Sequence, residues 1–243
     1  MGASVGSLRV GTSGYQYGHW RGMFYPREMP QSGWFEHYAS RFDAVEINNT
    51  FYRLPEADVF RDWARRAPAG FCYALKFSRY GTHLKHLKDP ADTIGAFLDR
   101  ARLLGPALGP ILVQLRPHWH VNADRLARFL DAAPREHRWA VEFRDPTWLC
   151  EPVYETLRAH NAALCIHDLI EGHPRIATAD WVYMRFHGEA PTGDYAETRL
   201  RAEAGHIAAH LHAGRDVYAF FNNDAHGFAP SNAGDLRRFL TAG

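Results

Sequence analysis

The sequence has 243 residues, which fits one large domain, and α/β barrels typically use about 250 residues. Its 28 basic and 27 acidic residues nearly cancel, which excludes a gross basic field directed at nucleic acid or at a membrane. The three cysteines form no C-x-x-C motif, so free thiols are favoured over metal or redox roles. The sequence shows no secretion signal and no run of about 18 apolar residues. We therefore expect a cytoplasmic protein without a membrane partner.

Short apolar runs recur along the chain, each rich in β-branched or aromatic residues, as buried parallel strands are. The predicted strands are Leu8–Gly11, Ala44–Asn48, Phe71–Phe77, Ile111–Arg116, Trp139–Arg144, Ala163–His167, Trp181–His187 and Val217–Asn222. Amphipathic patterns between them predict helices at Ser32–Phe42, Glu56–Ala67 and Asp89–Leu104, and helices that follow Asn122 and Asn232. Asp89, which precedes a proline, and Asn122 are expected to cap their helices.

Strands alternating with helices, at about 30 residues per unit, indicate a parallel sheet that is either closed as a barrel or open and doubly wound. The side-chain alternation favours the barrel. In Ala44–Asn48, for example, Val45 and Ile47 share one face while Glu46 and Asn48 share the other. In most strands the second face becomes polar only near its C-terminal end, as expected for a barrel lumen with a site at its mouth. The sequence thus predicts one α/β domain over residues 1–243, a TIM-type (β/α) barrel of seven to eight parallel strands.

Three side chains on this polar face are the candidate catalytic groups. Glu46 and Glu142 lie on the second and fifth predicted strands, which oppose each other in a closed barrel. Opposed carboxylates could serve as acid and base, or as acid and nucleophile. Lys76 could depress the pKa of one carboxylate or act as a base itself. The alternative is that each glutamate pairs with an arginine in a buried structural network.

The same face carries more basic than acidic side chains, which suits an anionic ligand. Of the 28 basic residues 25 are arginine, so a single arginine here is a weak sign of a special role. The last two strand ends often host phosphate in barrels, which favours Arg185, His187 and Asn222 as an anion site. The predicted ligand-binding residues are Asn48, Asn49, Gln114, Arg116, Arg144, His167, Arg185, His187, Asn222 and Asn223.

Aromatic residues are expected at the rim of the barrel, where they could stack on a sugar or a base. They are Tyr15, Tyr17, Trp20, Phe24, Tyr25 and Trp119. Half of them are expected simply to pack the rim.

Metal ligation is the less favoured chemistry. His206 and His210 are four residues apart, but no glutamate follows His206 as H-E-x-x-H requires, so an exposed helix face is the better interpretation. At the strand ends the arginines and Lys76 would compete with a cation. We expect no tightly bound metal and no cofactor.

Five segments together resemble one known family. They are VGTSGYQYGHWRGMFYP at 10–26, AVEINNTFYRLP at 44–55, VEFRDPTW at 141–148, MRFHG at 184–188 and FFNNDAHGFAPSNA at 220–233. The chain is similar in these motifs to the YecE-like family, a domain of unknown function (family number 72). The resemblance implies a TIM-type barrel and a site at the matching positions, and it assigns no activity. The sequence departs from the family pattern at Arg116 and at Asp145.

The first functional hypothesis is an enzyme that acts on a small anionic or sugar-like molecule by acid/base chemistry at the barrel mouth, similar to a sugar isomerase or a hydrolase. The second is a barrel that binds or processes nucleic acid, with phosphates on the arginines and a base on the rim aromatics. The third is a non-catalytic binding protein. These three classes remain open on the sequence alone.

Overall fold

A computed structural model describes residues 5–241 of the chain. The strands are β1 (Leu8–Thr12), β2 (Ala44–Ile47), β3 (Cys72–Lys76), β4 (Leu108–Gln114), β5 (Trp139–Glu142), β6 (Ala163–His167), β7 (Trp181–Phe186) and β8 (Asp216–Phe221). The helices are α1 (Trp34–Ala39), α2 (Asn49–Tyr52), α3 (Ala57–Arg66), α4 (Pro90–Ala101), α5 (Ala123–Ala132), α6 (Glu151–Ala159), α7 (Glu197–His212) and α8 (Phe228–Thr241). A π-helical turn, Tyr80–Leu84, follows β3.

The eight strands form one sheet in the order β1-β8-β7-β6-β5-β4-β3-β2. The registered pairs are parallel, for example Val10 with Ala219 and Gln114 with Glu142. An isolated parallel bridge joins Ser13, just after β1, to Glu46 in β2, so the last strand of the order neighbours the first. Eight parallel strands that alternate with helices confirm the predicted TIM-type (β/α) barrel class.

The described residues divide into two compact units. The first contains the residues up to Glu46 together with those from Met184 onward, and the second is Ile47–Tyr183. The single domain expected over residues 1–243 stays a prediction, and residues 1–4 and 242–243 lie outside the described part of the chain. No helix within residues 5–241 is both long enough and apolar enough to cross a bilayer.

The strands are buried on both faces, as parallel strands flanked by helices must be. In β2 all four residues are buried, including Glu46, and the same holds for the four residues of β5, including Glu142. The polar positions of the other strands are buried too, since Lys76, Gln114 and Arg185 are each less than 10% exposed. The alternation in the sequence thus identified polar side chains that the folded chain removes from water.

Most strands end one or two residues before the predicted end. The polar residues Asn48, Arg116, Arg144, His187 and Asn222 therefore lie just beyond their strands rather than inside them. The strands end before these residues, and the chain continues as loops or, after β2, as the short helix α2. Each of these five residues therefore lies within two positions of the end of its strand.

The helix-cap predictions have different outcomes. Asn122 caps α5, because its side chain accepts a hydrogen bond from the Arg125 amide at 2.9 Å. Asp89 is the N-cap residue of α4 and Pro90 follows in the first turn, as predicted, but the Asp89 side chain makes no cap bond, and its carboxylate instead accepts a hydrogen bond from Lys85 Nζ at 2.9 Å. The last helix also starts earlier than predicted, at Phe228 rather than after Asn232.

Candidate functional site

The predicted site residues belong to both compact units. The first unit holds Glu46, Arg185, His187, Asn222 and Asn223. The second unit holds Asn48, Asn49, Lys76, Gln114, Arg116, Glu142, Arg144 and His167.

A buried ion pair forms the centre of the first group. Arg185 Nη2 in β7 donates a hydrogen bond to Glu46 Oε1 in β2 at 2.8 Å, and both side chains are about 99% or more buried. Moving either charge out of water is costly unless an opposite charge with good hydrogen-bond geometry compensates for it. The two residues are therefore mutually dependent, and each fixes the position of the other.

Ser13 lies directly beside Glu46. The two residues are partners in the β-bridge between the end of β1 and β2, and Gly14 N–H donates to the Glu46 carbonyl at 2.8 Å. Ser13 N–H donates to the Phe221 carbonyl of β8, also at 2.8 Å. Since bridge partners in a sheet project to the same face, the Ser13 hydroxyl and the Glu46 carboxylate share one side. Within residues 5–241 the buried Ser13 Oγ has no hydrogen-bond partner.

The end of β8 adds two asparagines. The Asn223 Nδ2 group donates to the Gly193 carbonyl and to Asn232 Oδ1, both at 2.8 Å, which fixes the orientation of the amide. Its Oδ1 atom is buried and has no partner in the described chain. Asn222 is half-buried, and its N–H bonds to the Phe186 carbonyl at 2.7 Å, which ties the ends of β7 and β8 together.

Gly188 allows the chain to turn after β7 and the half-buried His187. Its φ of +107° is one that side-chain-bearing residues rarely adopt, and a Cβ atom there would lie 2.7 Å from the Gly193 carbonyl oxygen. Gly188 N–H donates to the Tyr195 hydroxyl at 2.8 Å. The turn therefore requires glycine.

In the second unit, Glu142 is fully buried at the end of β5 and forms an ion pair with Arg144 Nε. Arg144 Nη2 also donates to Gln114 Oε1 at the end of β4, at 3.3 Å. Cys165 Sγ lies 3.9 Å from Glu142 Oε2. Both predicted catalytic glutamates are thus paired with arginines, the arrangement given by the structural alternative. Their catalytic role stays a prediction.

Two histidine rings lie together after β6. His167 Nε2 is 2.8 Å from the Phe143 carbonyl, and His167 Nδ1 is 3.2 Å from the Leu169 amide nitrogen, so this ring carries its proton on Nε2. The His173 ring lies 4.4 Å from it, and burial, with a smaller electrostatic contribution from His167, lowers the pKa of His173 to about 4. His173 Nδ1 hydrogen-bonds to the Pro174 carbonyl, and its Nε2 is buried without a partner in the described residues.

A basic cluster surrounds the ends of β3 and β4. Lys76 Nζ lies 4.2 Å from the centre of the Phe51 ring, and exposed Arg116 Nη1 donates to His86 Nε2 at 3.2 Å. Burial, and then repulsion by Lys76, Arg79 and Arg116, lowers the pKa of His83 to about 4. A neutral imidazole among cationic side chains indicates a locally positive potential.

Sequence reasoning missed His173, Arg79, His83 and His86. Arg79, His83 and His86 follow β3 in a segment that contains the π-helical turn, and His86 has a positive φ of 49°. His173 lies in the loop after β6. Neither segment has the periodicity of a strand or an α-helix, so no pattern in the sequence pointed to them.

The remaining candidates differ in exposure. Asn48 is half-buried with its Oδ1 unpartnered within residues 5–241, whereas Asn49 is exposed as the first residue of α2.

Among the six rim aromatics, Tyr15, Trp20 and Tyr25 are at most 5% exposed, and the other three are half-buried. The half-buried rings are Tyr17, Phe24 and Trp119. Searching the described residues for three or more clustered His, Cys, Asp or Glu side chains that could hold a metal finds none.

Comparison with known sequences decides the family. Residues 9–243 match the profile of a family described as "Protein of unknown function DUF72". The chain belongs to this DUF72 family. The protein YecE of Escherichia coli (strain K12) is 32% identical over 117 residues, 48% of this chain and 43% of YecE, so the match spans less than half of that relative. YunF of Bacillus subtilis (strain 168) is 23% identical over an alignment 252 positions long, which covers 89% of each chain.

Solved structures share the fold. A DUF72 family protein from Thermotoga maritima MSB8 superposes with a TM-score of 0.88 at 27% identity, covering 97% of this chain and 99% of that one. A D-psicose 3-epimerase from Clostridium cellulolyticum H10, solved with D-tagatose, has a TM-score of 0.56 at 12% identity, with 96% of each chain covered. At 12% identity the second likeness shows the fold alone. The DUF72 chain is therefore a TIM-type barrel of a family without an established function.

The buried ion pair should dominate the stability of the first unit. We predict that Arg185→Met lowers the free energy of unfolding by about 3–5 kcal/mol, because it leaves the Glu46 carboxylate buried without its guanidinium. Adding Glu46→Gln to this variant should restore part of the loss. Urea denaturation measures both effects. The control is Arg61→Met, which breaks the exposed pair with Asp58 and should change stability by less than about 1 kcal/mol. Equal losses in Arg185→Met and in the control would contradict this assignment.

The pKa of His173 predicts an acid-sensitive fold. Because the folded-state pKa of about 4 lies below the ordinary value of 6.5, the unfolded chain binds the proton first. The contribution of His173 is therefore fully present above pH 6.5 and is lost as the pH falls from 6.5 towards 4. Urea titrations at several pH values should show a smaller loss in His173→Phe than in the wild type. A loss in His173→Phe as large as that of the wild type would refute the prediction.

Proposed function

We propose that this DUF72 protein is an enzyme that acts on a small sugar-like or anionic substrate by acid/base chemistry. Glu46 is the group that takes and returns the proton. Arg185 is the group that stabilises negative charge on the substrate as the proton leaves.

One observation carries the proposal: unpartnered polar atoms are buried at the same strand ends as the Glu46–Arg185 pair. Ser13 Oγ at the end of β1 and Asn223 Oδ1 at the end of β8 have no hydrogen-bond partner within residues 5–241. A buried polar group without a partner costs about 1–3 kcal/mol, so such atoms call for an explanation. The C-terminal ends of barrel strands are where the active sites of this fold lie. A ligand is the explanation that fits this position.

The unpartnered atoms also suit the chemistry of a sugar. Ser13 Oγ–H is able to donate a hydrogen bond, whereas Asn223 Oδ1 is an amide oxygen and only accepts. The Nδ2 group of Asn223 is already engaged with Gly193 and Asn232. Sugar hydroxyls both donate and accept, so one hydroxyl satisfies each atom. The amide of half-buried Asn222 would make a further hydrogen bond to the ligand.

The proposed reaction is proton transfer at a carbon next to a carbonyl group. Glu46 removes the C–H proton, and the electron pair of that bond moves through the adjacent carbon to the carbonyl oxygen, which becomes an oxyanion. Arg185 stabilises the oxyanion, since a fixed buried guanidinium needs little reorganisation as the charge develops. The proton then returns to the same carbon, which restores the carbonyl group. Return to the former carbonyl carbon additionally requires the hydroxyl proton of the first carbon to move to the oxyanion, so that the oxyanion becomes a hydroxyl and the first carbon carries the new carbonyl group.

The basic cluster of the second unit bears on the alternative function, a barrel that binds or processes nucleic acid. Arg79 and Arg116 are exposed and have no carboxylate partner within the described residues. They are the groups that phosphates would contact if the protein bound nucleic acid, the second hypothesis from the sequence. The near-neutral net charge of +1 favours a small ligand over a polyanion.

Solvent exchange tests the function without knowledge of the product. The protein is incubated in D2O with a panel of aldoses, ketoses and their phosphates, and proton NMR follows the signal of the carbon next to the carbonyl. We expect deuterium to replace hydrogen in at least one compound, and Glu46→Gln to slow this exchange by at least about 100-fold.

The matched control is Glu203→Gln. It removes another buried carboxylate of the first unit, one that pairs with Arg199 within α7, away from the strand ends. It should leave exchange unchanged. Wild-type exchange in Glu46→Gln would overturn the assignment of the acid/base group, and exchange in no member of the panel would overturn the reaction class.

A further inference from the structure

A cavity of about 410 Å³ lies in the first unit, apart from the strand ends. Its walls come from the segment after β1, from the end of α1 and from α8. Met23, Phe24, Phe42 and Pro230 supply apolar surface, and Arg41 and Arg237 supply charge. None of the residues of the proposed acid/base site lines it. Its volume is within the range of about 300–1,000 Å³ that is typical of small-molecule sites.

The charge in this cavity has one sign. Its titratable lining residues are His37, Arg41 and Arg237, and no carboxylate lines it. Arg237 Nη1 donates to the Arg41 carbonyl at 2.5 Å, which holds the Arg237 guanidinium in the wall. His37 Nε2 is engaged with the Phe24 carbonyl at 2.9 Å. Within residues 5–241 neither guanidinium has an acidic partner, so an anionic group would meet two uncompensated positive charges.

The apolar part of the cavity is partly open to water. Met23 is 57% exposed, and the Phe24 ring is half-buried against the edge of His37. Methionine side chains adapt to irregular apolar ligands because they are unbranched and flexible. A ligand with an apolar body would remove this surface from water, which is favourable. The cavity therefore offers both a charged and an apolar contact to one molecule.

We propose that this cavity binds a small amphipathic carboxylate, with its carboxylate on Arg41 and Arg237 and its apolar body against Met23, Phe24 and Phe42. The planar fork of a guanidinium matches the two oxygens of a carboxylate. The volume of the cavity suits an apolar body of the size of an octyl chain or a phenylpropyl group. This site is independent of the proposed acid/base function.

Gly234 provides a way to close the cavity without disturbing the fold. It lies in α8 and lines the cavity, and a Cβ atom built there meets no atom within 4 Å. Its φ is not positive, and a helix interior favours leucine over glycine. Gly234→Leu should therefore fill the space while keeping α8 intact. Gly205→Leu is the matched control, because Gly205 is an exposed residue of α7 with equally open space around it.

Calorimetric titration of the whole chain with octanoate and with 3-phenylpropionate tests the proposal. We expect both to bind the wild type. Acetate lacks the apolar body and octanol lacks the charge, and each should bind at least tenfold more weakly. Gly234→Leu should abolish octanoate binding, whereas Gly205→Leu should not change it.

A pair of arginine variants tests the charge. Arg237→Gln should weaken octanoate binding at least tenfold. Arg238→Gln, the same change one residue later, at a guanidinium paired with Asp235, should have no effect. The proposal is overturned if the wild type binds neither carboxylate, if Gly234→Leu binds octanoate as the wild type does, or if octanol binds as tightly as octanoate.

Discussion

The burial of charged side chains determines how the strand ends of this protein are arranged. Glu46 and Arg185 are removed from water almost completely, and a lone ion of either kind would be too costly to keep there. Their hydrogen bond at 2.8 Å therefore has to form, and it ties β2 to β7 within the first unit. Glu142 obeys the same constraint in the second unit, where Arg144 is its partner and Gln114 holds Arg144. Both carboxylates are consequently fixed in position before any ligand arrives.

In the first unit the buried charges of Glu46 and Arg185 are paired, whereas two buried neutral side chains at the same strand ends are not fully hydrogen-bonded within the described residues. Ser13 and Asn223 each have their backbone or amide N–H groups bonded, yet one further side-chain oxygen of each is buried without a partner in the described residues. Buried polar groups in folded proteins are normally hydrogen-bonded, so two such atoms without a partner call for an explanation. Their position at the strand ends fits a ligand-binding site. In that arrangement the ion pair supplies chemistry, and the neutral groups supply orientation.

The sequence predicted the eight strands and their buried polar face, because period-two alternation follows directly from strand geometry. It placed the strand ends one or two residues too late, because polar residues at the exit of a strand keep the alternation after the ladder has stopped. It could not predict the basic cluster around His83, which depends on a π-helical turn and on His86 at positive φ. It placed Asp89 correctly at the N-cap of α4 but did not predict its side-chain partner, since Lys85 Nζ donates to the carboxylate and no cap bond forms. Local sequence patterns thus predict strands and helices, whereas the side-chain contacts around them depend on how the connecting segments fold.

The central claim is that the ends of β1, β2, β7 and β8 hold the substrate beside Glu46. A crystal structure of the protein soaked with a compound that undergoes exchange tests it most directly. The account predicts electron density for the ligand within hydrogen-bond distance of Ser13 Oγ and Asn223 Oδ1, with a carbon next to its carbonyl group facing the Glu46 carboxylate. Density for the ligand elsewhere, with ordered water molecules on Ser13 and Asn223, would contradict it.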